Sequence, residues 1–158
     1  MKKRSISILL MAVGAMATSI VERKKRRKAE KISGKYCALF YMMNRWVRLR
    51  QDGKNLSSYF EEQGYRKIAV YGIGYVGETF LAELKNSEID IAYGIDRRES
   101  ITYSDLKIIS PDMIMEDVDM IVVTAIDYFE EIEEKLKEKM KCPIISLEDI
   151  IFNVGQIL

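Results

Sequence analysis

Three glycines and one aspartate have the spacing of a phosphate-binding turn. Gly72, Gly74 and Gly77 form G-x-G-x-x-G after a short apolar run, and Asp96 ends the next apolar run. In α/β domains the first glycine permits a tight turn, the second lets the backbone approach a pyrophosphate, and the third lets the helix pack close to the strand. The acid accepts hydrogen bonds from a ribose diol. The pattern therefore predicts a nucleotide-binding turn between a strand and a helix.

The residues around this turn predict a dinucleotide or a nucleotide sugar as the ligand. The N–H groups near Tyr75 and Val76, at the positive end of the predicted helix, are placed to hold phosphates. Asp96 favours NAD over NADP, whereas Arg97 and Arg98, which follow it, would instead hold a 2′-phosphate. We expect NAD or a nucleotide sugar. The predicted binding residues, all at this turn or at the ends of neighbouring strands, are Gly72, Gly74, Tyr75, Val76, Gly77, Asp96, Arg97 and Thr124.

The same turn also has an interpretation without a ligand. Leu81 stands where a small residue usually allows tight packing, and Glu78 adds a carboxylate near the expected phosphates. In that interpretation the glycine turn serves only the fold.

The sequence offers little for catalysis. It contains no histidine, which removes His-based acid–base chemistry and argues against a zinc site. Tyr103 and Lys107 match the Y-x-x-x-K pair of short-chain dehydrogenases and sugar epimerases, but they precede the third predicted strand, so we interpret the spacing as chance in a loop. Cys37 and Cys142 are expected to be buried free thiols in a reducing compartment, with a disulfide or a metal pair as the alternative. We predict no catalytic residues and no metal ligands; whether the chain is an enzyme stays open, with a non-enzyme favoured.

Apolar strands alternate with helices from Lys67 onwards. Strands that are apolar throughout and separated by helices form a parallel sheet covered on both faces, and right-handed crossovers give the order 3-2-1-4-5. We therefore expect an α/β fold with a Rossmann-like five-stranded parallel sheet and helices on both faces. The predicted strands are 68–71, 89–95, 106–110, 120–124 and 143–147, and the predicted helices are 75–86, 128–141 and 147–154.

The N-terminal region predicts a membrane helix followed by a basic run. Residues 5–21 carry no charge, and all six residues in 23–28 are Lys or Arg. A single-pass anchor, a cleaved signal peptide and an interfacial or buried helix are the three interpretations. The basic run favours an anchor with the following domain on the cytoplasmic side of a bacterial cell membrane, facing the inner leaflet. Residues 32–158 are acidic in balance, with 15 basic and 22 acidic groups, so no nucleic-acid partner is expected.

A second helix is predicted over 34–52, ahead of the sheet. Its aromatic and aliphatic residues recur at helical spacing, and Gly53 is expected to stop it. This face would pack on the domain's own sheet, on a second copy of the chain, or on a different protein. We therefore divide the chain into an anchor and basic run (1–31), an amphipathic helical segment (32–65) and a nucleotide-binding domain (66–158). The apolar residues expected on the packing face are Tyr36, Leu39, Phe40, Met43, Trp46, Val47 and Leu49.

The chain resembles a group of small Rossmann-like proteins that occur with surface-polysaccharide biosynthesis proteins in Gram-positive bacteria and are labelled nucleoside-diphosphate-sugar epimerase-like. The resemblance covers roughly residues 33–155 and extends to the membrane-anchored N-terminus. More distantly, the domain is similar to the nucleotide-sugar-binding N-terminal domain of bacterial sugar acetyltransferases and to the NAD-binding lobe of potassium-uptake regulators. That similarity implies binding at Gly72, Gly74, Gly77 and Asp96. The runs that carry the resemblance are LSSYFEEQGYRKIAVYGIGYVGETFLAEL, GIDRR and VDMIVVTAIDYFEEIEEKLKEKMKCPIISLEDII.

Three functions follow from these observations. The first is a membrane-tethered cytoplasmic module that binds NAD(H) or a nucleotide sugar and is accessory to surface glycan biosynthesis, as a homo-oligomer or with a glycan-assembly protein. The second is a scaffold that uses the fold without a ligand. The third is a nucleotide-sugar epimerase or reductase, for which the sequence supplies neither a second substrate-binding half nor a well-placed Tyr/Lys pair.

Overall fold

The computed structural model of the chain describes residues 2–98 and 100–154, with side chains from residue 22 onwards within these ranges. The predicted membrane helix falls on residues 5–21, which lie outside the described side chains. Within residues 22–98 and 100–154, no helix is both long and apolar enough to cross a membrane. The membrane helix is therefore not confirmed.

The chain divides into two compact units, Met1–Tyr41 and Met42–Leu158. In the first unit, residues 22–34 are all exposed, and they include the basic run. The second unit contains the sheet and the glycine turn. The predicted division into 1–31, 32–65 and 66–158 stays a prediction, because two compact units do not test boundaries between three segments.

Five parallel strands form one sheet in the order β3-β2-β1-β4-β5, which confirms the predicted topology. The central strands are buried almost throughout, as parallel strands covered on both faces require. The strands are β1 Lys67–Tyr71, β2 Asp90–Ile95, β3 Ile108–Ile109, β4 Met120–Val123 and β5 Ile144–Ser146. The helices are α1 Lys2–Gln51, α2 Ser57–Gln63, α3 Tyr75–Leu84, α4 Phe129–Lys137 and α5 Leu147–Val154.

Helix α4 covers one face of the sheet. Its Ile132 and Leu136 are buried in a core cluster with Ala69 and Tyr71 of β1, whose side chains share one face because successive strand residues alternate. The amphipathic spacing of α4 and the alternation of β1 therefore produce the packing between helix and sheet. Because Tyr71 is the last residue of β1, this packing extends to the end of the strand.

Helix α3 packs against α2 and the last turns of α1. The ring of Phe80 lies 6.1 Å from that of Phe60 in α2 and 6.5 Å from that of Trp46 in α1, centroid to centroid. Glu83 accepts hydrogen bonds from the Leu56 N–H (2.7 Å) and from Trp46 Nε1. The C-terminal turns of α1 are thus part of the sheet domain.

The buried face of α1 is narrower than the sequence pattern predicted. Met42, Trp46 and Leu49 are buried, whereas Phe40 and Val47 are 65% and 50% exposed. At about 100° per residue, Val47 lies roughly 140° around the helix from Met42. The predicted face joined two stripes, of which only one packs on the domain.

Candidate functional site

The ends of β1, β2 and β4 bring three of the predicted residues to one edge of the sheet. Tyr71 pairs in register with Ile95 of β2 and Val123 of β4. The next residue on each strand is Gly72, Asp96 or Thr124. In open parallel sheets, ligands bind beyond this edge at the point where the strand order reverses, and here that point lies between β1 and β4.

Gly72 and Gly77 are required by the tight turn itself. Gly72 has φ +96°, and a Cβ there would lie 2.9 Å from Thr124 Oγ1. A Cβ on Gly77 would collide with the carbonyl oxygen of Gly72. The helix therefore starts so close to the strand end that neither position has room for a side chain.

Thr124 supports this turn from the neighbouring strand. Its side chain is buried, and its hydroxyl donates to the Gly72 carbonyl and lies 3.2 Å from the Tyr71 carbonyl. The hydroxyl hydrogen is therefore engaged by the backbone of the turn. Ala125, the next residue, lines the adjoining crevice instead.

Gly74 differs from the other two glycines. It occupies the N-cap position of α3 with φ −103°, which any residue adopts readily. A Cβ at Gly74 would have one neighbour, Arg98 Nη2, at 3.7 Å, which is an ordinary van der Waals distance. The fold does not require a glycine here.

The first turn of α3 presents backbone N–H groups beside Gly74. The helical hydrogen bonds begin with Glu78 N–H donating to the Gly74 carbonyl (2.8 Å). Tyr75 and Val76 precede that bond, so their N–H groups belong to the unsatisfied end of the helix, where partial positive charge accumulates. The Tyr75 side chain is 91% exposed and leaves the turn open to solvent.

Asp96 is buried at the end of β2, and its carboxylate is fully engaged within the chain. Oδ2 accepts the Ile73 N–H (2.8 Å) and Arg98 Nη2 (3.3 Å), and Oδ1 accepts the Arg98 N–H (2.9 Å) and Nε (3.2 Å). Burial raises the pKa of Asp96, but the hydrogen bonds from Arg98 and Ile73 outweigh burial and hold the pKa below its usual value. The carboxylate is therefore ionised near neutral pH.

The two arginines after β2 have separate roles. The Arg98 guanidinium pairs with Asp96 and donates through Nη2 to the Ile73 carbonyl (3.1 Å), so it lies over the glycine turn. Arg97 is turned towards α4, where it donates to the Tyr71 hydroxyl (3.4 Å) and contacts Glu131 (3.4 Å). The predicted set included Arg97 and omitted Arg98, although Arg98 is the one that contacts Asp96.

A crevice of about 230 Å³ opens beside this network. Its position between the ends of β1, β2 and β4 is the one that the sheet topology predicts for a ligand. Its lining residues are Tyr71, Gly72, Asp96, Arg97, Arg98, Ala125, Tyr128 and Ile132.

A family model described as "C2185-like, N-terminal" matches residues 64–144, which is just over half of the chain. The chain belongs to the C2185-like N-terminal family. The matched region runs from the residues before β1 into β5 and includes the whole crevice. No curated protein matches the chain.

A larger cavity in this C2185-like domain adjoins the crevice. Its volume is about 510 Å³, and it lies between α4 and the loop after β3, with Ser110–Asp112 on one side. Tyr71, Arg97 and Ile132 line both spaces. The connection from β3 to β4 contains no helix in the described residues, and it packs on the core through Met115 and Val118.

The Y-x-x-x-K match lies in a turn of the C2185-like domain and not on a helix. Tyr103 bridges to Leu106 across the turn, and its hydroxyl lies 3.5 Å from the Glu78 carbonyl. Lys107 pairs with Glu116 (3.1 Å). The two side chains have separate partners, as expected for a chance spacing.

The two cysteines are free thiols with different exposure. Cys142 is half-buried, and burial raises its pKa. Cys37 is exposed, so the expected burial was wrong for this residue. Within the described residues, no group of three or more His, Cys, Asp or Glu side chains is arranged to hold a metal ion.

Proposed function

We propose that the chain is a nucleotide-binding module that holds NAD(H) or a nucleotide sugar at the glycine turn, without catalysing a reaction itself. In this proposal the module is tethered to the inner face of a bacterial membrane and is accessory to surface glycan assembly. The observation that carries the proposal is the space in front of Gly74.

Gly74 supports a ligand because the fold has no use for its missing side chain. The other two glycines of the motif relieve clashes within the turn, whereas a Cβ on Gly74 fits. A side chain there would point towards the guanidinium of Arg98 and occupy the approach to the first turn of α3. Glycine is also acceptable at N-cap positions, so the proposal needs a test that separates helix capping from ligand access.

The geometry of the crevice fits part of a nucleotide. Its 230 Å³ is below the usual range of about 300–1,000 Å³ for whole ligand pockets, so it suits one moiety, such as a nucleoside. The adjoining 510 Å³ cavity provides space for a second moiety beyond Arg97. Phosphates would lie over Gly74, between the positive end of α3 and Arg98.

The proposed location depends on the N-terminal region and on the resemblance to proteins of surface-polysaccharide loci. The basic residues 23–28 are exposed on α1. Each would gain about 1 kcal/mol at an anionic leaflet. The uncharged residues 5–21 supply the anchor in this proposal.

The test is ligand binding by the full chain in a mild non-ionic detergent. NAD(H), NADP(H) and UDP-sugars are titrated by calorimetry and by thermal shift, with Gly74→Ala and Gly74→Ser as the variants and Gly34→Ala as the control. Serine caps a helix well, so Gly74→Ser should bind as weakly as Gly74→Ala where access to the turn, and not capping, is what glycine provides. A Cβ at Gly34 meets nothing within 4 Å. We expect at least one ligand to bind the wild type and the control, and to bind Gly74→Ala about tenfold more weakly, a loss of about 1.4 kcal/mol.

Two results would count against the proposal. One is the absence of binding or thermal shift with every ligand. The other is equal binding by Gly74→Ala, which would show that Gly74 only caps the helix.

A ligand-free scaffold is the second candidate, and one observation favours it. The Asp96 carboxylate already receives four hydrogen bonds from the chain, so the turn is complete without a ribose. A scaffold predicts blank ligand titrations together with self-association or capture of a glycan-assembly protein. An epimerase or reductase has no comparable support, because Tyr103 and Lys107 are not on a helix and the chain has no histidine.

A further inference from the structure

The Asp96 carboxylate has no acceptor position left for a ribose diol. A carboxylate offers about four lone-pair positions, and each oxygen of Asp96 accepts two donors. Two of these donors are the backbone N–H groups of Ile73 and Arg98, which the turn holds in place. Ribose hydroxyls would therefore have to displace the Arg98 side chain from Asp96.

The Arg98 guanidinium is held in one orientation while part of it stays available. Its Nε and Nη2 donate to Asp96, and Nη2 also donates to the Ile73 carbonyl. Nη1 carries two further N–H groups that none of these bonds uses. The side chain is 60% exposed and lines the crevice, and Nη2 lies 3.7 Å from the position of a Cβ on Gly74.

The pairing also makes the crevice suitable for an anion. An unpaired carboxylate at the end of β2 would repel a phosphate at the glycine turn. Here the charge of Asp96 is balanced by Arg98 and by the backbone donors, and Arg97 on the other side is paired with Glu131. A phosphate over Gly74 would therefore meet the Arg98 guanidinium and an Asp96 charge that is already balanced, with Glu78 in the first turn of α3 as the nearby opposing charge.

From this network we infer that Arg98 is the residue that recognises the ligand, by binding a phosphate over Gly74, and that Asp96 is a positioning residue for Arg98 and does not bind the ribose. The inference rests on the proposed nucleotide-binding function. It specifies a ligand class: nucleotides recognised by their phosphates, with the ribose hydroxyls contributing little.

The test compares matched nucleotides on the full chain in detergent. The probes are ADP and UDP, their 2′,3′-dideoxy counterparts, and adenosine and uridine. With wild type, we expect the deoxygenated nucleotide of the better-binding series to bind within about threefold of its ribose parent, and the nucleoside to bind at least tenfold more weakly. This comparison uses the wild-type chain alone, so it tests the inference even where a variant does not fold.

Three variants assign the roles. Arg98→Gln should weaken nucleotide binding about tenfold and flatten its dependence on salt, because one cation–phosphate contact is lost. Arg98→Lys, which keeps the charge but cannot form the fork, should be intermediate. Asp96→Asn should weaken the ribose and dideoxy nucleotides equally, as a positioning residue would.

The outcomes separate this inference from the function on which it rests. Loss of tenfold or more on removing the hydroxyls, or tighter binding by Arg98→Gln, would show that Asp96 accepts the diol and that Arg98 obstructs it; nucleotide binding would stand and the inference would fall. No binding of any nucleotide to the wild type at millimolar concentration would overturn both.

Discussion

Replacing Gly77 by alanine should destabilise the domain even though alanine is the better helix former. Gly77 is in the first turn of α3, where alanine would gain up to about 1 kcal/mol of helix propensity. Against this, the new Cβ would collide with the Gly72 carbonyl oxygen and would lie 3.3 Å from Thr124 Oγ1. Overpacking costs about 1–3 kcal/mol, and a displaced carbonyl would lose about 1 kcal/mol more of hydrogen bonding. We expect a net loss of about 1–3 kcal/mol in the free energy of unfolding.

The single tryptophan provides the assay. Trp46 is 3% exposed and contacts Phe80 of α3, so its fluorescence reports the loss of α3 packing as urea is added to the full chain. A loss of 1–3 kcal/mol moves the midpoint by roughly 1 M urea. Gly74→Ser is the matched control, three residues earlier, without a Cβ clash and with a side chain that caps a helix well, and we expect it to stay within about 0.5 kcal/mol of wild type.

A Gly77→Ala midpoint at or above that of Gly74→Ser would refute the reasoning. It would mean that the turn yields to a methyl group at little cost. The contrast between two glycines needed by the fold and one that is not would then disappear, together with the main support for a ligand at Gly74.

Three further predictions concern the surroundings of the turn. Glu83→Gln should cost about 1–3 kcal/mol and shift the emission of Trp46, because glutamine has one acceptor oxygen for the two donors that Glu83 now satisfies, Leu56 N–H and the indole. Thr124→Val should lower the urea midpoint by the equivalent of about 1 kcal/mol, since the carbonyl of the glycine turn loses its donor, whereas serine should restore it. Backbone N–H donors at the start of β1 hold the pKa of Asp119 below its usual value, so its stabilisation is present above the unfolded pKa and is lost as the pH falls through the folded pKa. Asp119→Asn should therefore reduce the dependence of the urea midpoint on pH between about pH 6 and pH 3.

The sheet and its ligand edge were predictable because they follow from local rules. Buried parallel strands have a distinctive apolar pattern, and the strand order follows from the handedness of the crossovers. Once the ends of three strands were placed, Gly72, Asp96 and Thr124 had to meet at one edge. The roles of Gly72 and Gly77 followed from the backbone alone.

The details of the site were less predictable because they depend on side-chain choices. A pattern places Arg97 and Arg98 after β2 but does not say which guanidinium folds back on Asp96. That choice depends on the direction of the backbone after the strand and on the burial of the carboxylate. The position of Arg98 two residues after Asp96 was the available signal, since an aspartate side chain in a turn accepts the N–H of the residue two positions on. The phase of α1 was missed for a similar reason, because apolar residues cover two of its stripes.

Helix α3 joins the two features on which the proposals depend. Gly74 caps its N-terminus beside Arg98, which lines the crevice, and Glu83, near its C-terminus, holds the last turns of α1. Nine residues at 1.5 Å each separate them by about 14 Å, a distance at which one charge acting through the water over the exposed first turn of α3 contributes only about 0.3 kcal/mol. Removing the charge of Glu83 should therefore not change nucleotide affinity by electrostatics alone. If Glu83→Gln nevertheless weakens binding in a chain that remains folded, the effect has to be a displacement of α3, and the attachment of α1 would then be part of what keeps the first turn of α3 in place for a phosphate.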